Sequence, residues 1–371
     1  MAAYPFLSDA FLDALATSGA ITRTSGATAA IDTGIGTGTG DDSDWQDLSW
    51  REGEGFLPLY RRQGSRGEYV FDHRWAMAYA QHGQAYYPRL VTAIPYTPVT
   101  GPRWRLPEGK SAADWLWPRL PELVEEQGAS SWHVLFPDEA AREALSDLPL
   151  ATRAACHFRW FNRGYAEFDD FLGTLMSRKR KTLRKERERV DGLVLRRATG
   201  ADIPAHWWPA FYACYARTYH IRGQHPYLTP AFFDLLAARL GDQIMLAVAL
   251  DTTDPMGTPL AAALYLFDDT CLYGRYWGAL RDLDALHFEL CYYQGIEFAI
   301  ERGLAAFDPG VQGEHKLLRG FEPVLTWSMH WHADPRFHDA IQRFCAAEEE
   351  AVRAYQAEAR AYLPYRRGES A

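Results

Sequence analysis

Three apolar runs follow one another in the second half of this chain: QIMLAVALD (243–251), TPLAAALYLFDD (258–269) and TCLYGRYWGAL (270–280). Each has the length of a strand and falls far short of the roughly 18 residues that a membrane span requires. They are joined by the turn-rich TTDPMG and the tight DDT, and connections that short return a strand antiparallel beside its neighbour. Helical patterns flank this meander. IPAHWWPAFYACYARTYH and PAFFDLLAARLG precede it, and HFELCYYQGIEFAIERGL follows, with Gly303 as its C-cap and the strand AAFDPG after it. Further upstream lie a long helical stretch, FDDFLGTLMSRKRKTLRKERERV, and the strand GLVLRRAT; the chain closes with a charged helix over 335–363.

The first half reads in a similar order. PFLSDAFLDALATSGA is a short amphipathic helix with Ser8 as N-cap. Residues 22–44, rich in Thr, Gly and Asp, look like an insertion, and their GIGTGTG has neither the preceding strand nor the following apolar helix of a phosphate cradle. β-like segments follow in GFLPLYRR, GEYVFD and YYPRLVTAIPYTPVTGPRW, then a helical stretch SAADWLWPRLPELVEEQG, then the strands SSWHVLFPD and HFRWFNRGY. A repeated order of helices, three antiparallel strands, helix and strand suggests tandem duplication of one α/β unit. The length of 371 residues exceeds what one core usually organises, so two domains are expected, 1–165 and 166–371.

The formal net charge of -9 argues against a protein coated for DNA, so any basic patch must be local. One exists: SRKRKTLRKERERV (177–190) has eight Lys or Arg against two Glu. As a helix it carries a narrow apolar stripe of Met176, Leu183 and Val190, with Arg178, Lys181, Lys185 and Arg189 on the far side. The five cysteines form no C-x-x-C pair and read as reduced thiols of a cytoplasmic protein. The N-terminus lacks the pattern of a signal peptide. HWHADPRFH has three His without ligand spacing, so no metal is assigned.

The blocks LMSRKRKTLRKERERVDGLVL and DPGVQGEHKLLRGFEPV resemble those of the FemAB-like group within the GNAT superfamily of N-acyltransferases. There a basic helix precedes a strand, and a late G-x-x-x-F-K-x-G-F-type segment follows the fifth strand. A bacterial subset of that group, described as predicted N-acyltransferases or peptidoglycan biosynthesis or recognition proteins, matches nearly the whole chain through YYPRLVTAIPYTPVTGPR, LYGRYWG, LHFELCYYQGIEFAI and GEHKLLRGFEP. The resemblance implies two tandem GNAT-like domains, each with a mixed, largely antiparallel sheet flanked by helices. It implies a cytoplasmic transferase that moves an acyl or aminoacyl group to an amine. The glycine turn that holds CoA pyrophosphate in the superfamily is missing: LRDLDALHFELCY has no glycine, and TPVTGPRWRLPEGKS has glycines in the wrong register. That departure favours a donor other than free acetyl-CoA.

Amine acylation needs a proton acceptor, oxyanion stabilisation and two substrates in register. His287 at a helix start, kept neutral by the helix dipole, and Glu289 are the candidate catalytic pair; both could instead merely cap and complement that helix. Tyr276, Trp277 and Tyr292 would wall the site. Between glycines, Glu314, His315, Lys316 and Arg319 follow a strand end, where α/β folds bind ligands. Lys316 matches the lysine of the family's late motif and is the first choice for donor binding; an ordinary charged turn is the plainer reading. Tyr96, Thr97, Thr100, Gly101 and Arg103 make a turn suited either to acceptor recognition, with hydroxyls and guanidinium outward, or to structure alone. Tyr69 and Asp72 could line the same cleft. Tyr219 and Arg222 lie in a helix connection that could close over a substrate. The expected function is transfer from acyl-CoA or aminoacyl-tRNA, as cosubstrate rather than tightly bound cofactor, to an amine such as a cell-wall precursor. The alternative is a noncatalytic protein that recognises a peptidoglycan-type ligand. Arg178, Lys181 and Lys185 could contact tRNA; no DNA partner and no membrane span are expected.

Overall fold

The computed structural model describes residues 3–23, 44–311 and 313–366; the expected insertion at 22–44 lies outside them except at its ends. The chain divides into two compact units, neither drawn from one continuous stretch. The N-terminal unit comprises Leu15–Ala155 and Leu325–Arg353, and the C-terminal unit Met1–Ala14, Cys156–Val324 and Ala354–Ala371. A single division at residue 165 is therefore replaced by an exchange of segments.

In the N-terminal unit the strands are β1 (Thr22–Arg23), β2 (Trp45–Asp47), β3 (Trp50–Glu52), β4 (Gly55–Leu57), β5 (Tyr60–Arg62), β6 (Arg89–Thr92) and β7 (Ser131–Leu135). β2 pairs antiparallel with β5 and β5 with β6, while β6 and β7 are parallel. Helices Ala112–Leu116 and Leu120–Glu126 make the crossover. Their apolar residues Leu116, Leu120 and Val124 pack with Leu90, Trp132 and Val134 in one core. Strand β8 (Ala151–Phe161) then carries the chain onward.

The C-terminal unit contains β9 (Leu193–Thr199), β10 (Ile244–Asp251), β11 (Ala261–Phe267), β12 (Cys271–Ala279) and β13 (Ala306–Asp308). Here β10 pairs antiparallel with β11 and β11 with β12, and β12 and β13 are parallel across a helical crossover. The pairing sequence is the same in both units: antiparallel, antiparallel, parallel. Each sequence is completed by an antiparallel strand from a remote part of the chain. β14 (Glu322–His332) lies beside β7, and the end of β8 lies beside β13. The tandem α/β order expected from the sequence is thus the observed one, as mixed, mostly antiparallel sheets with helices.

The meander β10–β12 is buried almost throughout because helices cover both of its faces. Two glycines show how closely they sit. A Cβ on Gly278 would stand 1.9 Å from the Cys214 carbonyl oxygen in helix Trp207–His220, and one on Gly295 would stand 2.6 Å from the Phe307 ring.

Ser8 caps the first helix by accepting from the Phe11 N–H at 3.2 Å, and Gly303 with φ +65° ends helix Gln294–Glu301, both as expected. Other expectations are corrected. The helical stretch 111–128 is two short helices on either side of Pro118, which cannot continue a helix. The stretch 168–190 is also two, Phe168–Thr174 and Ser177–Glu188, separated by extended Leu175 and Met176. Met176 is exposed, so only Leu183 and Val190 anchor the basic helix. GEYVFD is not a strand: Tyr69 takes φ +61°, and buried Glu68 and Asp72 turn inward to Arg89. The helix His73–Gln81 that follows has its own apolar anchors in Trp75 and Tyr79.

Candidate functional site

Parallel pairing between β12 and β13 ends at Tyr273 and Asp308. The carboxyl end of a parallel strand is where α/β sheets hold ligands, and a bulge lies next to it. Tyr265 stands opposite Gly274 and Leu264 opposite Tyr276, a slip of one residue at Arg275. Beyond the bulge, strand alternation sends neighbouring rings to opposite faces. Trp277 meets the His287 ring at 5.0 Å, whereas Tyr276 packs on Tyr215 and Phe233 at 5.5 and 5.6 Å. Tyr276 therefore leaves the expected site wall and Trp277 remains in it.

Ala285, with φ +63°, leads into Leu286–Phe288, a π-helical turn Glu289–Tyr293 and helix Gln294–Glu301. The Tyr265 hydroxyl donates to the Leu290 carbonyl inside that turn. Such turns re-aim side chains and recur at functional sites. This one brings the Tyr292 ring to 5.3 Å from that of His287.

His287 is half-buried, and its ring nitrogens have no hydrogen-bond partner among the described residues. Burial, reinforced by His315, Lys316 and Arg319, lowers its pKa to about 4, so the ring is neutral at pH 7. Neutrality was expected, but it comes from burial and neighbouring cations. Glu289 does not act beside it as a base. Its carboxylate is 1% exposed, receives two Arg187 N–H groups at 3.0 Å each and accepts from Gln294 Nε2 at 2.7 Å. Burial pushes this carboxyl above the usual range, while Arg187 and Gln294 pull it back. It is an anchor.

The segment GEHKLLRG, expected to bind the donor or else to be an ordinary charged turn, is a 3-10 helix, Glu314–Arg319, bounded by Gly313 at φ +111° and Gly320 at φ +85°. A Cβ on Gly313 would fall 2.2 Å from the His315 ring, so glycine is required for that ring to lie where it does. His315 is exposed, and its Nε2 shares a 2.8 Å hydrogen bond with the Tyr292 hydroxyl. Lys316 is 1% exposed, and its Nζ donates to the Gly310 carbonyl at 2.6 Å. Burial depresses its pKa to about 8, with Asp308 opposing. Arg319 stacks over Phe288 at 3.4 Å and donates to the His315 carbonyl at 2.7 Å and to both Glu186 oxygens at 2.8 and 2.9 Å. Glu314 is exposed and accepts from the Tyr355 hydroxyl at 2.7 Å. The structure thus brings together Trp277, His287, Tyr292, His315, Lys316 and Arg319, with two neutral imidazoles 6.0 Å apart.

Other sequence candidates lie elsewhere. Tyr96, Thr97 and Gly101 are buried in the N-terminal unit, and Thr100 is half-buried. The Arg103 guanidinium, expected to point outward, is 1% exposed and donates to the carbonyls of Leu135 at 2.6 Å, Pro102 at 2.9 Å and Val99. This turn is a structural lock. Asp72 is likewise buried, paired with Arg89 at 2.6 Å. Tyr219 packs on Tyr215 and Tyr227 on the Tyr276 side of β12, and Arg222 is exposed beyond it. On the basic helix Arg178, Lys181 and Lys185 are exposed and form no ion pair among the described residues.

Sequence reasoning missed Glu186 and Arg187, whose partners lie more than 100 residues away, and Cys291 inside the π turn. It also missed a buried cluster in the N-terminal unit. There the imidazoles of His133 and His330 meet Nδ1 to Nδ1 at 2.6 Å, and His332 Nδ1 bonds the Tyr79 hydroxyl at 2.9 Å. Burial holds all three neutral, His332 with a pKa of about 3. Among the described residues no group of three or more His, Cys, Asp or Glu is placed to hold a metal ion, and no helix is long and apolar enough to cross a membrane.

The family model FemAB-like, described as peptidoglycan biosynthesis/recognition, matches residues 1–367. No curated protein matches the chain. Among solved structures, L-PGS from Bacillus licheniformis is 10% identical, with 81% of this chain and 89% of that chain covered at a TM-score of 0.49. The C-terminal domain of a putative lysylphosphatidylglycerol synthetase from Agrobacterium fabrum is 12% identical, with coverages of 80% and 87% and a TM-score of 0.48. FemX is 12% identical, with coverages of 81% and 91% and a TM-score of 0.46. Likenesses of this size carry no argument about the chemistry of this chain.

Proposed function

The chain belongs to the FemAB-like family, and from that premise we propose that its C-terminal unit is an N-acyltransferase site working on an amine acceptor of the cell-wall precursor class. The observation that carries this reading is a neutral His287 with unpartnered ring nitrogens, set beside buried Lys316 at the carboxyl end of β13. The acceptor nitrogen attacks the donor carbonyl carbon and gives up a proton to His287. A C–N bond forms, the C–O bond of an aminoacyl ester or the C–S bond of a thioester breaks, and His287 returns the proton to the leaving oxygen or sulfur. In this reading the Lys316 cation opposes the negative charge that develops on the carbonyl oxygen. His315 and Tyr292, hydrogen-bonded to each other, complete the wall.

The donor is read as an aminoacyl-tRNA or an acyl-CoA, bound as cosubstrate in the cytoplasm. Exposed Arg178, Lys181 and Lys185 offer its phosphates a cationic edge on an otherwise acidic chain. Calorimetric titration of the full chain with acetyl-CoA, a long-chain acyl-CoA and alanyl-tRNA tests this. Binding of one donor, weakened in Lys316→Met, is the expected result. If no donor binds while a muropeptide does, the chain is the recognition protein that the family description also covers, and the catalytic reading falls.

A further inference from the structure

Helix Ser177–Glu188 makes two kinds of ion pair. Arg184 with Asp169 and Arg189 with Asp284 are pairs in which every side chain is more than half exposed. Such pairs contribute little. Between them, Glu186 and Arg187 reach inward, to partners 5% and 1% exposed. Glu186 accepts from Arg319 at 2.8 and 2.9 Å and from the Tyr293 hydroxyl. Arg187 grips Glu289 through two bonds of 3.0 Å and Glu297 through one of 2.5 Å. Arg319 in turn holds the His315 carbonyl and stacks on Phe288, and Glu289 opens the π turn two residues after His287. Leu183 and Val190 already supply the buried apolar anchors that fix a short helix. The two polar grips are additional: Glu186 ties the 3-10 segment through Arg319 and also reaches the π turn through Tyr293, and Arg187 holds the π turn through Glu289.

We infer that Glu186 and Arg187 are positioning residues: Glu186 sets the 3-10 segment that carries His315 and Lys316 and braces the π turn at Tyr293, and Arg187 sets, through Glu289, the Leu286–Tyr293 segment that carries His287 and Tyr292. This rests on reading that cluster as the acyl-transfer site. Neither residue touches the reacting atoms. Their neighbouring places on one helix turn two separately folded segments into a single rigid frame, which near-attack geometry requires.

The test uses the full chain labelled with 15N-histidine, with the His287 and His315 ring signals assigned from His287→Gln and His315→Gln. Arg187→Ala is expected to move the His287 ring signals, and Glu186→Gln those of His315 most, with a smaller change at His287 passed through Tyr293. Arg187→Lys should restore part of the His287 pattern, and Arg184→Ala should leave both unchanged. With alanyl-tRNA as donor, kcat is expected to fall on the order of 10²-fold in Arg187→Ala with KM nearly constant. Ring signals that stay in place in both variants, with only a lower melting temperature, overturn the proposal. If Arg187→Ala does not fold, Glu297→Gln and Arg187→Lys carry the same test. Should His287→Gln leave transfer intact, the acyl-transfer reading fails, while the ring-signal result still decides whether the frame exists.

Discussion

After β6 in the N-terminal unit the chain is locked by Arg103, whose guanidinium donates to three carbonyls; after β12 in the C-terminal unit it leads to His287, whose ring nitrogens have no protein partner among the described residues. The strand pairing around these two places is the same. The histidines differ in the same sense. His133 and His330 satisfy each other and two serines, whereas His287 is half-buried with no hydrogen-bond partner among the described residues and His315 is exposed, bonded to the Tyr292 hydroxyl. A buried polar group whose hydrogen-bonding capacity is taken up inside the protein maintains structure. One with capacity to spare, as in the His287 ring or the Lys316 ammonium with its one bond to the Gly310 carbonyl, is available to a substrate. On the proposed function, one unit serves as scaffold and the other carries the site.

The strongest way to break this comparison is to disturb the scaffold. Arg89 binds Glu68 and Asp72, and all three are within 2% exposed. Arg62 stands 3.4 Å from Glu68, near as a charge but without hydrogen-bond alignment, so it does not replace Arg89. Arg89→Ala should cost about 3–5 kcal/mol in urea unfolding, because it takes from two buried carboxylates the guanidinium that pairs with both. The His287 ring signals should not move in the fraction that remains folded. Loss of donor binding at full stability would assign function to the wrong unit.

Acid gives the next largest effect. His133, His330 and His332 have folded pKa values below their unfolded value of about 6.5. Their contribution is complete above about pH 6.5 and is lost as the pH falls toward about 3, the value for His332, since the unfolded chain then binds more protons. The urea midpoint should drop between pH 6.5 and 5, and His330→Gln should flatten that slope. A midpoint independent of pH in that window contradicts the buried, neutral state. Lys316→Met comes third, at about 1–2 kcal/mol for the lost bond to the Gly310 carbonyl, with donor affinity reduced by more than the stability change explains. Smallest is Arg184→Ala, about 0.5 kcal/mol or less by thermal melting.

The sequence allowed the β10–β12 meander and the Ser8 and Gly303 caps to be read, because each is a local pattern; it offered Trp277, His287 and Tyr292 in one block and His315 and Lys316 in another without showing that the two meet. It hid what depends on distant partners. Glu289 looks like a base two residues from a histidine until Arg187, 102 residues earlier, occupies it. Arg103 looks like a recognition residue until the carbonyls of Val99, Pro102 and Leu135 take up its guanidinium. The π turn has no periodicity of its own, and GEYVFD alternates like a strand although its backbone turns at Tyr69, φ +61°. Only Tyr276 could have been placed correctly from sequence, since strand alternation alone separates it from Trp277.

The most direct measurement is photo-crosslinking of the full chain with a diazirine-bearing acyl-CoA and with 4-thiouridine alanyl-tRNA, followed by peptide mapping. The expected result is labelling within 274–320, together with 178–185 for the tRNA, and its loss in Lys316→Met. Labelling confined to the 96–103 turn and its surroundings in the N-terminal unit would contradict the division of the molecule into scaffold and site.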